Sequence, residues 1–236
     1  SYLMPFGAFW TTLSYKYSQD YRDANTNFYR LDRLAGWGAD TNFAPGMLPS
    51  ATADMMQAFD APNSGHSRLW QRQHQVSLRM EYRTKHQNRT TIAFQLPLRW
   101  ELEHLLFDKV GQHFDRNRTQ ALFSPQVYLH QQFIKGETSH VFILNYSLSR
   151  TMPDFIYALE LEDSSNPLYI QRGNANLVPS TTQNLSFTMN TFKKKRKLYD
   201  LNLSYQRTSN ALATERTYNP TTGGYVTHPV NVNGNW

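Results

Sequence analysis

Between residues 141 and 192 the chain alternates, stops alternating and alternates again. Phe142, Leu144, Tyr146 and Leu148 stand against Asn145, Ser147 and Ser149, with Val141 and Ile143 blurring the start. A period of two is expected of a strand wetted on one face. From Met152-Pro153-Asp154 to Pro179 no period is sustained; then Thr181, Gln183, Leu185, Phe187 and Met189 alternate with Thr182, Asn184, Ser186, Thr188 and Asn190. A sheet is left and re-entered.

The signature recurs along the chain. Phe9, Thr11, Leu13, Tyr15 and Tyr17 alternate with Ala8, Thr12, Ser14 and Lys16, predicting a first strand of about ten residues, the length that crosses a bilayer when tilted. Val76, Leu78, Met80 and Tyr82, then Ile92, Phe94, Leu96, Leu98 and Trp100, occupy even positions only. Ser77, Arg79, Glu81, Arg83, Thr91, Gln95 and Arg99 fill the opposite face of that hairpin. Phe123, Val127, Leu129 and Phe133 mark another strand, with its partner starting near His140, and Tyr199, Leu201, Leu203 and Tyr205 a further one. Beyond Arg207 the alternation fades while strand-like composition continues to Tyr218, as expected of a strand leaving a membrane into water on both faces. A turn at Asn219-Pro220-Thr221-Thr222-Gly223-Gly224 and a return strand from Tyr225 bring the count to about eight.

Connections are predicted long at 18–73, short at 85–89, long at 101–120, short at 134–139, long at 151–180 and short at 193–197. Short turns at one end and long loops at the other is the plan of outer-membrane barrels, with the short turns periplasmic. Inside the first long connection Ser50 is placed to cap a short helix around residues 53–59 with Met55, Met56 and Phe59 on one side.

Three segments carry a resemblance. Tyr146-Ser147-Leu148-Ser149-Arg150-Thr151-Met152-Pro153, then Asn166-Pro167-Leu168-Tyr169-Ile170, then Gly173-Asn174-Ala175-Asn176-Leu177-Val178-Pro179 resemble the barrel region of TonB-dependent outer-membrane receptors, in the subgroup known as the outer membrane protein beta-barrel family. The usual motif there reads S-N-P-L followed by G-N-P-N-L-K-P-E. Ala175 stands where proline is usual, Val178 for lysine and Ser180 for glutamate. Pro229-Val230-Asn231-Val232-Asn233-Gly234-Asn235-Trp236 is similar to another recurrent segment of that family. The resemblance covers roughly residues 123–236, and the first half only by pattern.

Composition narrows the chemistry. A mean hydropathy of −0.63 with 39% hydrophobic residues suits a soluble protein on its face, and no stretch approaches the roughly 20 apolar residues of a transmembrane helix. A barrel strand needs apolar residues only at alternate positions, so a membrane is still open. Aromatic residues make up 14% of the chain, enough to furnish interfacial girdles. No cysteine is present, which removes disulfides, thiolate metal sites and cysteine nucleophiles. The net charge of +6 is scattered apart from Lys193-Lys194-Lys195-Arg196-Lys197, which between two alternating strands reads as a solvated turn near headgroup phosphates, not as a nucleic-acid patch. The eight histidines show no ligand spacing, His104 and His113 merely sharing one predicted connection. No nucleophile elbow, Walker loop or dinucleotide fingerprint occurs. Neither a catalytic residue nor a metal or cofactor is therefore expected.

Candidate ligand contacts are loop aromatics, foremost Trp37, Phe43, Tyr157 and Tyr169, since rings on loops of a rigid scaffold can stack on a ligand; the same rings could instead form small cores that keep long loops folded. Gly173, Asn174, Asn176, Leu177 and Pro179 of the family motif are expected to build a turn.

The expected fold is all-β: an antiparallel transmembrane β-barrel segment of about eight strands, part of a larger barrel. Residues 1–236 make one partial barrel domain, with the plug domain and remaining strands outside the sequence, and no signal peptide is visible after Ser1. By resemblance, the full protein is a non-enzymatic importer of the cell outer membrane. It would sit in outer-membrane lipid, take up a large extracellular nutrient, couple to TonB through the absent plug and bind no nucleic acid. A plugless barrel with a structural or adhesive role is the alternative, and a soluble periplasmic β-sandwich is a third, weaker reading.

Overall fold

A computed structural model describes residues 2–6, 9–34, 51–84, 88–163, 166, 168–194 and 196–233. The chain is almost all antiparallel β. The strands are β1 (Tyr2–Phe6), β2 (Phe9–Thr26), β3 (Gly65–Arg83), β4 (Arg89–Lys109), β5 (Gln112–Phe123), β6 (Gln126–Lys135) and β7 (Thr138–Thr151). After the short β8 (Glu162–Asp163) and β9 (Tyr169–Arg172) come β10 (Ser180–Lys193), β11 (Arg196–Ser209), β12 (Ala211–Asn219) and β13 (Gly224–Val232). One large sheet has the order β1-β2-β3-β4-β6-β7-β10-β11, with β5 also on β4; a small one has the order β12-β13-β9-β8.

The large sheet keeps its register from strand to strand, apart from a bulge at Leu198 where β11 meets Thr191 and Phe192 of β10. Phe9 faces Tyr82, Tyr82 faces Ile92, Ile92 faces Leu129, Leu129 faces Leu144, Leu144 faces Phe187 and Phe187 faces Leu203. Directly opposed residues share a face of a sheet, so the alternating apolar runs of the strands line one surface, while Leu69, Leu105, Val141 and Ile143 lie on the other. The apolar run lies higher on β2, up to Tyr15 and Tyr17, than on β11, where it spans Tyr199 to Tyr205. That stagger is what tilted strands require.

β5 and β6 form one strand line beside β4. Their registers on β4 are continuous across the gap, with Leu98 facing Phe123 and Gln95 facing Gln126. Pro97 and Pro125 meet at the gap, and each lacks the N–H that a ladder needs; Ser124 N–H instead donates to Pro97 O at 3.2 Å and Leu148 N–H to Pro125 O at 3.0 Å.

Four expectations need correction. Residues 101–120 are not a loop: β4 runs on to Lys109, turns at Val110-Gly111 and returns as β5. The first strand extends to Thr26 and its partner starts at Gly65, so the true connection is 27–64. In both the two faces cease to contrast: β2 beyond Tyr17 is largely polar on either side, and β4 beyond Trp100 carries Leu102 and Leu106 on one side and Leu105 and Phe107 on the other. The short helix is Thr52–Gln57 (α1), begun by Ala51 without a side-chain cap; Met56 is exposed, and Ala58 is the buried residue nearby. Finally, Ser209 ends β11, Asn210 takes a left-handed φ of 54°, and β12 pairs with β13 outside the wall. The eighth wall position is held by β1, not by the return strand from Tyr225.

Candidate functional site

The short turns after β1, β3, β6 and β10 all lie at one end of the sheet. At the other end Phe28 and Asn63 of the connection 27–64, Phe107 and Lys109 of the β4–β5 hairpin, and Ile156 and Tyr157 of the connection 152–179 come together. Leu69 of β3 and Leu105 of β4 project there, and Phe155 and Leu159 fold down onto them as a buried core, joined by Phe107, Phe114 and Leu161. A single turn of 3-10 helix, Phe155–Ala158, aims those two side chains inward; Asp154 starts it by accepting a hydrogen bond from Ile156 N–H.

Above this core opens a cavity of about 220 Å³, lined among others by Phe28, Phe107, Lys109, Tyr157, Glu162 and Arg172. Arg172 Nε lies 3.0 Å from Glu162 Oε2, and Lys109 Nζ donates to the Glu162 carbonyl at 3.0 Å. The result is an apolar hollow with an ionic lip. Its volume is below the roughly 300–1,000 Å³ of sites that enclose a whole small molecule, so it fits one group of a larger ligand. Tyr157, 48% exposed, belongs to the wall of this cavity.

Below the cavity the polar face carries a ladder of charges. Glu103, 5% exposed, accepts from Gln71 Nε2 and from Arg118 Nε, both at 2.5 Å. Arg118 lies 4.4 Å over the Phe155 ring and donates to Pro153 O at 3.0 Å. Glu101 forms an ion pair with Arg99, Nε to Oε1 2.9 Å, and accepts from Gln120 Nε2 at 2.8 Å, and Glu81 is held between Arg79 and Arg83.

Trp37 and Phe43 lie outside the described residues. Tyr169 stacks on Tyr225 at 6.0 Å in the small sheet and does not line the cavity. The family motif is more than a turn. Asn174 Oδ1 accepts from Asn176 N–H at 2.9 Å, making the turn, while its Nδ2 donates to Pro229 O at 2.9 Å. Gly173 packs so closely that an added Cβ would lie 1.5 Å from Leu159 O. Leu177 is buried. Asn231 accepts from Val178 N–H and donates to both Val178 O and Asn210 O, at 2.8 to 3.0 Å. The two family segments, far apart in sequence, thus clasp each other, and the clasp holds the floor of the cavity through Tyr157 O, which accepts from Asn174 N–H at 2.7 Å. Phe107, Lys109, Glu162 and Arg172 were not singled out in the sequence, and the shared asparagine pattern of the two segments was the one clue to Asn231.

Among the described residues no three His, Asp or Glu side chains are grouped to hold a metal, and no helix is long and apolar enough to cross a membrane. Compared with known proteins, the family model described as outer membrane protein beta-barrel family matches residues 72–236. No curated protein matches the chain.

Proposed function

Because this chain belongs to the outer membrane protein beta-barrel family and so resides in the outer membrane, we propose that it builds wall and extracellular mouth for a TonB-dependent receptor that imports a large nutrient. The apolar face then meets lipid, the charged ladder faces the lumen, and the short turns are periplasmic. The observation that carries the reading is the cavity lined by Tyr157, Lys109 and Arg172, which faces the lumenal side at the loop end, where an incoming ligand arrives. Its size suits one arm of a bulky ligand, with the remainder held by further loops. In this reading the chain performs no catalytic step and needs no cofactor; energy comes from TonB through a plug domain.

The test is growth of a strain lacking the protein on a panel of large nutrients, repeated in a strain without working TonB. Import requires at least one nutrient whose use depends on both. No such nutrient, together with a steady open conductance of the purified protein in planar bilayers, would leave a passive barrel. A second reading, surface adhesion, draws on the small sheet, whose Tyr169 and Tyr218 are about half exposed; loss of cell attachment without any growth defect would favour it.

A further inference from the structure

The lipid-facing surface does not end where its apolar side chains do. On β3 the outward positions below are Val76, Leu78, Met80 and Tyr82, and the same face continues upward through His74, Arg72, Trp70, Arg68 and His66. Register fixes what lies beside each one. Tyr17, His74 and Trp100 form one row; Gln19, Arg72, Leu102 and Thr119 the next; Tyr21, Trp70, His104 and Asn117 the third. These rows are outside the barrel, immediately above the hydrocarbon, and separated from the lumen by the sheet itself.

Their chemistry is distinctive. Tyr21 and Trp70 have ring centroids 5.1 Å apart, and Trp70 stacks on His104 at 5.2 Å and 21°, giving a continuous strip of three rings. The first row is an ordinary interfacial girdle, but the third stands two rows higher, too far up to serve acyl chains. Between them Arg72 is exposed, and among the described residues no carboxylate pairs with it. No acidic side chain occurs in the three rows. Carboxylates begin one row higher and are already engaged: Asp115 with His104 at 2.9 Å, Asp23 with His66 at 2.6 Å, and Asp108 with His113 and Arg68.

We propose that this strip binds the phosphorylated sugar headgroup of an outer-leaflet glycolipid. Arg72 takes the phosphate, for which a guanidinium offers paired donors. The Tyr21–Trp70–His104 strip lies along the sugar, whose C–H face packs against aromatic faces. The acyl chains then run down Val76, Leu98 and Leu78. Charge complementarity, height above the hydrocarbon and the facing of the strip away from the lumen all select a lipid headgroup over an imported solute.

The test uses the protein purified from outer membranes in mild detergent, with an acylated diphosphoryl glucosamine disaccharide as probe and native mass spectrometry as readout. Wild type should retain one probe molecule, Arg72→Gln and Trp70→Ala should weaken retention at least tenfold, and Lys16→Gln, on the lumenal face three positions below the Arg72 row, should leave it unchanged. Millimolar inorganic phosphate should not displace the probe. Equal retention by wild type and Arg72→Gln, or an equal loss in Lys16→Gln, overturns the proposal. Independent of any variant, the probe should raise the melting temperature of wild type more than phosphatidylglycerol does at equal charge; equal shifts would mean a generic anionic surface and would also overturn it.

Discussion

Asn231 satisfies three backbone groups of two other segments with one amide. At about 1 kcal/mol per net hydrogen bond, Asn231→Ala should cost roughly 2 to 3 kcal/mol locally. Limited proteolysis should then cut within 152–179 while the wall stays intact, whereas an unchanged digestion pattern would show that the clasp is not needed. Glu103 and Arg118 are a different case, being a nearly buried ion pair. Arg118→Ala leaves a buried carboxylate without its partner, at a cost of about 3 to 5 kcal/mol, read as a lower unfolding temperature in detergent. Above the membrane the His66 contact, then the Tyr21 hydroxyl, holds the Asp23 carboxyl below its usual range. A depressed carboxylate contributes stability that is complete above its unfolded value and lost as pH falls through the folded one. The difference in melting temperature between wild type and Asp23→Asn should therefore be largest near neutrality and close below about pH 4; a gap that widens in acid would reverse the assignment. It should be small, because the pair is solvent-exposed and screened.

At the scale of elements, strand length divides what the sequence displays from what it conceals. β7 and β10 were legible almost to the residue because their apolar and polar sides differ along nearly their whole length. β4 was legible only to Trp100. Past that point Leu102, Leu106, Leu105 and Phe107 are split between both faces, since the outer face is leaving the hydrocarbon while the inner one is acquiring a core with Phe155 and Leu159. The cavity was illegible partly for the same reason, as Phe107 and Lys109 of its wall belong to a hairpin whose period was lost, and partly because most of the remaining wall comes from the aperiodic connection 152–179. Alternate amides of 112–123, those that point toward β4, should accordingly exchange slowly, and fast exchange throughout would restore the loop. On the apolar face, Leu78→Arg or Phe94→Arg should cost about 2 to 4 kcal/mol at mid-bilayer depth, while Ser186→Ala on the lumenal face should be mild. Equal sensitivity on the two faces would fit a sandwich core better than a wall against lipid.

On the scale of the whole molecule the unresolved physical demand is at the sheet edges. Among the described residues β1 pairs only with β2, and β11 only with β10, yet every backbone donor and acceptor inside a hydrocarbon layer needs a partner. β11 also presents Tyr199, Leu201, Leu203 and Tyr205 on its outer face, so it crosses the apolar layer and cannot be left half-bonded there. β13 meanwhile descends beside β12 until Val232 faces Ala211, bringing the chain back level with the top of β11. In the membrane, then, the free edge of β11 needs a strand bonded to it. Successive N–H groups of a strand point to opposite edges, so proline substitution at consecutive residues distinguishes the two states. An edge strand tolerates proline at every second position, while one paired on both sides tolerates it at none. Proline at each of Leu201, Asn202, Leu203 and Ser204 should abolish assembly in the outer membrane, measured as loss of the heat-modifiable folded band on gels. Survival of an alternating pair would mean that β11 stands at an edge in lipid, and the barrel would have to be closed in some other way.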